Sequence, residues 1–344
     1  MLSKLMADKT IVINYDIPLD QTVIHLYNQW LNASVHFLIK SLEKLAIKNP
    51  LIASKVSQVK LIDHKVLKIL VRDPSLQSWM NSLNHSFLYG SIKDMDENEI
   101  PLDLSVIDVI LQKSEGKDPR KSVSLGIQLN KDDYWLRAFF GKSILFEDDV
   151  ITEQALSIVN KAFEIIGSYN ENLLNEIYLL SPSVQFIQDP SAHPEKIVSF
   201  SDNLIPGCLY VSVRTSNDYL NPYDLADSIV HEHRHQKLYL FEYFNPVTSK
   251  DNPKVPSPWR EELRPVSGLF HAVYVFQNLL DYWMYVYKNS HETLLKGKAL
   301  SNVKNCQERL SKAHQTLSGC NLTDYGQILL DNFKHSLHNV QQLN

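Results

Sequence analysis

The residues best suited to chemistry are His231-Glu232-His233-Arg234-His235. On a helix, His231 and His235 stand one turn apart on the same face, so two imidazoles can converge on one metal ion. His233 then points to nearly the opposite side and is not a third ligand. Only a strand would place all three on one face. The helix reading has a local start signal, because Asn221 can cap a helix whose first residue is Pro222, and Asp224 falls in the first turn. Ile229, Val230, Leu238, Leu240 and Phe241 continue it as an apolar pattern.

A catalytic metal centre needs a third ligand and open positions for water or substrate. His271 is the choice here. It lies in the apolar run Leu269-Phe270-His271-Ala272-Val273-Tyr274, where a buried imidazole needs a partner, either a metal ion or a hydrogen-bonding neighbour in the core. Glu242, Glu261, Glu262 and Asp281 are weaker candidates, and Glu242 stands far along the helix axis from His235. Arg264 precedes the His271 segment through Pro265, and Arg260 lies four residues earlier. Guanidinium forks bind carboxylates in two-point fashion, so the two arginines suit a carboxylate-bearing co-substrate. Arg260 is equally well read as a surface partner of Glu261 and Glu262. Arg214 is a lesser candidate for the same task, and Cys208 reads as buried packing.

The elements that must position these residues are mostly helical. Apolar residues recur at helical spacing over 21–47, 52–71, 76–88 and 104–111, then over 152–166, 173–180, 222–243, 266–287, 291–317 and 323–337. Short strands are expected at 123–129, 134–140, 184–187 and 208–213, with a turn at Pro206-Gly207. The fold class is therefore mainly α (α+β), a multi-helix domain with a few short strands and a metal site between two long helices. Ser114 to Lys121 reads as a linker, separating a helical N-terminal region (1–118) of unassigned role from an α+β metal-binding catalytic region (119–344). The loop 245–259 carries Pro246, Pro253, Pro256 and Pro258 and cannot be helical throughout.

Composition narrows the function classes. The chain has 344 residues and a formal net charge of −5, which gives no reason for broad attraction to nucleic acid. Three cysteines without CxxC spacing indicate neither a disulfide framework nor a thiolate zinc site. No apolar stretch is long enough to span a membrane, and the first residues lack a signal-peptide core, so a cytoplasmic protein is expected.

The segments IVHEHRHQKL and SPWREELRPVSGLFHAVYVF together resemble the HExxH-motif peptide-modification proteins of bacterial ribosomal-peptide natural-product pathways. The likeness covers roughly residues 206–283. It implies an iron(II)- and 2-oxoglutarate-dependent hydroxylase acting on a precursor peptide, with His231, His235 and His271 as metal ligands and Arg264 at the co-substrate carboxylate. Glu232 would then orient a ligand or the substrate. Glu262-Leu263 stands where the resemblance leads one to expect Asp-Pro, which bears on the loop shape and so on substrate choice. HExxH by itself favours a different reading, a zinc metallopeptidase with Glu232 as general base, but no downstream carboxylate ligand of the usual kind is evident. A metal-free helical binding protein for a peptide or partner enzyme is the third reading.

Overall fold

A computed structural model describes residues 21–115, 127–216, 218–249 and 252–341. It is mainly helical, with a few short strands. The chain forms two compact units. One runs from Tyr27 to Gln236; the other takes the chain from Lys237 onward together with residues 21–26. The division falls inside two helices, α1 (Gln21–Lys48) and α9 (Pro222–Phe244). Among the described residues no helix is long and apolar enough to cross a membrane.

In the first unit, local chemistry sets most helix starts. The expected helix over 52–71 is two, α2 (Ala53–Lys60) and α3 (His64–Leu70), because Asp63 accepts the Lys65 amide and restarts the chain. Asp73-Pro74 opens α4 (Pro74–Tyr89), where the Asp73 carboxylate accepts the Ser75 amide. The next helices are α5 (Val106–Ser114), α6 (Tyr134–Arg137), α7 (Asp149–Tyr169) and α8 (Glu171–Leu180). Asp148 caps α7 and Asn170 caps α8. The strand expected over 134–140 is instead α6 followed by a 3-10 turn, Ala138–Phe140. Asp133 accepts the Trp135 amide, and that cap outweighs the apolar alternation. Most of the expected linker and the start of the strand at 123–129 lie outside the described residues.

The strands are short: β1 (Gln128–Leu129), β2 (Leu145–Phe146), β3 (Ser183–Gln188), β4 (Ser199–Ser201) and β5 (Cys208–Val211). β3 lies parallel to β1 and β5, with Val184 opposite Leu209 and Phe186 opposite Val211, and β2 pairs antiparallel with β3. β4 closes the order β1-β3-β5-β4 as an antiparallel edge. One face of this sheet buries Ile187, Cys208 and Tyr210 against Leu136, Phe140, Ile144 and Ile205. Phe200 of β4 joins that face, stacked on Tyr210 at 4.7 Å between ring centroids. Burial pushes the Cys208 thiol up to about 12, which makes it an inert packing group.

In the second unit, β6 (Val255–Ser257) and β7 (Arg260–Arg264) form an antiparallel hairpin, so the proline-rich stretch is partly ordered as strand. Pro265 occupies the cap position of α10 (Val266–Asn289), which packs against α11 (Thr293–Leu317) and α12 (Asp324–Gln341). The loop after α9 is tied to the start of α12, where Thr323 Oγ donates to Pro246 O at 2.7 Å. Gly326 lies so close to the Val247 carbonyl that a Cβ there would overlap it.

Candidate functional site

Helix α9 begins as its sequence requires, with Asn221 Oδ1 accepting the Tyr223 amide at 2.9 Å. The fourfold spacing brings His231 and His235 together, their ring centroids 5.2 Å apart and their planes inclined at 55°. Two imidazoles sharing one ion through metal–nitrogen bonds of roughly 2.1 Å would have centroids about 5 Å apart, so the pair fits two coordination positions. Both rings keep partial exposure while residues 232–234 and 236 are buried. Burial holds the His231 imidazole down to about 4, which keeps it neutral and able to donate a lone pair to a metal. Its side chain is still 23 % exposed, so solvent tempers that shift.

Glu232 is 2 % exposed. Ser199 Oγ donates to its Oε1 at 2.7 Å, and the same oxygen is 3.9 Å from His231 Nε2. Ser201 Oγ donates to the Glu232 carbonyl at 3.4 Å. Burial raises the carboxyl to about 7, outweighing the two serine hydroxyls. His233 does point away from the histidine pair, as the helix period requires. It is fully buried, with Nδ1 at 3.0 Å from Ser181 Oγ and Nε2 at 2.9 Å from Glu176 Oε1. Arg234 Nη1 donates to the same Glu176 oxygen at 3.1 Å. This buried knot anchors α9 on α8.

In the other unit, His271 is buried on α10, where its Nε2 lies 2.6 Å from Glu242 Oε2 and its ring centroid 4.8 Å from that of Tyr239. Among the described residues no three His, Cys, Asp or Glu side chains are gathered as a set able to hold a metal ion. The histidine pair offers two donors, and among the described residues no third stands with them.

Arg264 ends β7 instead of starting the helix. Arg260 opens the same strand four residues earlier, across an irregular register with β6. Burial and then the Arg260 charge hold the Arg264 pKa below the usual value. Its guanidinium lies over the first turn of α10, where a Cβ at Gly268 would meet Nε at 3.5 Å. Neither Arg260 nor Arg264 forms an ion pair with Glu261, Glu262 or any other described residue. Arg214, by contrast, is committed to Glu147 through bonds of 2.8 and 3.0 Å.

Sequence reasoning missed Ser199, Ser201, Ser181 and Glu176. The alternation Val198-Ser199-Phe200-Ser201 was the available signal for β4; nothing local marked Glu176. A cavity of about 670 Å³ lies between α4, α5 and α6, lined by Leu76, Val109, Tyr134 and the Asp73, Asp103 and Asp133 carboxylates. None of the expected site residues borders it. No family model matches the sequence, and no curated protein matches it.

Proposed function

We propose that this chain is an iron(II)- and 2-oxoglutarate-dependent hydroxylase acting on a side chain of a ribosomally made precursor peptide. The observation that carries the proposal is the His231–His235 pair, two partly exposed imidazoles, His231 held neutral by burial, at a ring spacing that suits one shared ion. Imidazole suits iron as well as zinc. His271 as third ligand rests on the sequence reading alone. So does the task of Arg264, with Arg260, in gripping a carboxylate of the co-substrate. A half-buried guanidinium with no acid among the described residues is in keeping with that task.

Iron(II) with 2-oxoglutarate and oxygen supplies the oxidising power to hydroxylate an unactivated carbon. The chain's own residues do the rest. His231 and His235 present their nitrogens from a helix that the Glu176 knot holds in rotation. Glu232, fixed by Ser199, sits beside His231 as an orienting group. The buried residues around the pair restrict stray water.

A second reading has one observation in its favour. A carboxyl raised to about 7 is well matched to general-base work, which fits a zinc metallopeptidase with Glu232 as base. Anaerobically purified, iron-loaded protein separates the two. A hydroxylase should bind 2-oxoglutarate, giving the iron-to-ligand charge-transfer band, and form succinate under oxygen. His231→Ala and His235→Ala should abolish both the band and stoichiometric metal. Hydrolysis of peptides by zinc-loaded protein, lost in Glu232→Gln and with no 2-oxoglutarate consumed, would install the peptidase in its place.

A further inference from the structure

Among the described residues, the edge strand β4 has main-chain groups without a partner. Ser212 N–H donates to Val198 O at 2.9 Å, and Val198 N–H donates to Ser212 Oγ at 2.9 Å, so these two residues form a bonded pair. Antiparallel alternation makes Phe200 and Tyr210 the next bonded pair. Ser199 and Ser201 then turn their amides and carbonyls away from β5, and no hydrogen bond from a described residue reaches those outward groups. Edge strands are commonly blunted by shortness, lysine, proline or a bulge; β4 is short, at three residues, but Ser199-Phe200-Ser201 carries no lysine, proline or bulge. The same two serines send their side chains to Glu232, which stands against His231.

We propose that the outward edge of β4 seats the substrate peptide, which adds to the sheet as an extended strand. The inference rests on the reading of this chain as a peptide-modifying enzyme. The free groups are main-chain donors and acceptors at strand spacing, and the ligand that matches them is another extended main chain. Such a strand lies about 4.8 Å from β4. A guest residue level with Ser199 or Ser201 shares their face of the sheet and turns its side chain toward α9 and His231. Its immediate neighbours turn to the Phe200 face. The grip is on backbone amides, with side-chain choice confined to alternate positions.

Phage-displayed random dodecapeptides selected on the full-length, iron-loaded protein supply the probe. A selected peptide, resynthesised with single N-methyl groups, should lose at least tenfold in affinity at alternate residues and little at those between. Ser201→Pro removes one outward amide without touching a β4–β5 bond and should weaken that peptide at least tenfold. Ser201→Ala, which keeps the amide, should stay within about twofold of the parent. Failure to select any peptide, an N-methyl scan without a period of two, or indifference to Ser201→Pro overturns the proposal. So does concentration-dependent dimerisation abolished by Ser201→Pro, since the edge would then belong to a second copy. Metal content and 2-oxoglutarate turnover on the same preparations separate the two ideas. A period-two scan without turnover keeps the strand and removes the hydroxylase; turnover with a flat scan removes only the strand.

Discussion

Replacing Glu176 by leucine tests how the histidine helix is held. Glu176 is 2 % exposed and accepts from His233 at 2.9 Å and from Arg234 at 3.1 Å through one oxygen. Arg234 is itself buried, and its Nε already lacks a hydrogen-bond partner. Removing the carboxylate strands a guanidinium in the interior, and breaking a buried pair from one side costs about 3–5 kcal/mol. For a unit of this size each kcal/mol lowers the melting midpoint by roughly 2–4 °C. Glu176→Leu should therefore melt about 6–20 °C below the parent in calorimetry of the full chain. Glu176→Leu combined with Arg234→Met removes both charges and should recover most of that loss, because the penalty lies in the unpaired ion. Glu176→Gln keeps an acceptor for His233 and should fall between. The reasoning is refuted if the single replacement costs under about 1 kcal/mol, the range of exposed pairs, or if the double replacement melts no higher than the single.

Three further outcomes are expected. Burial raises Glu232 from 4.5 to about 7, so the folded state holds a proton that the unfolded state releases between those values. Metal-free protein should therefore lose stability on the order of 3 kcal/mol as pH rises from 4.5 to 7, and parallel urea titrations should show Glu232→Gln free of that loss. On the proposed role of Arg264 as the grip on a co-substrate carboxylate, Arg264→Lys keeps the charge but loses the two-point fork, and the KM for 2-oxoglutarate in a succinate assay should rise about tenfold. Gly326→Ala drives a Cβ into the Val247 carbonyl; it should cost about 3 kcal/mol in chemical denaturation, and a neutral result would mean the loop and α12 lie further apart than described.

The helices were largely legible because their signals are local. Asp73-Pro74 and Asn221-Pro222 each place a side-chain acceptor one residue before a proline, and the structure starts α4 and α9 at those prolines. Spacing alone put His231 and His235 on one face and sent His233 to the other, since the 3.6-residue period belongs to the backbone. Tyr134 to Phe140 was misread because apolar alternation over so short a stretch does not distinguish a strand from a capped turn of helix. The Asp133 cap decided it.

What the sequence determined by itself was a capped helix carrying two imidazoles one turn apart. What only the tertiary structure decided is what surrounds them. Glu176 lies 57 residues from His233, and Ser199 lies 33 residues from Glu232. β4 is a strand only because β5 pairs with it, and Arg264 is strand-bound because β6 pairs with β7. Helical hydrogen bonds close within four residues, so the chain's own order encodes them. Strand pairing and buried ion pairs join residues far apart in sequence, and they exist only once the chain has folded.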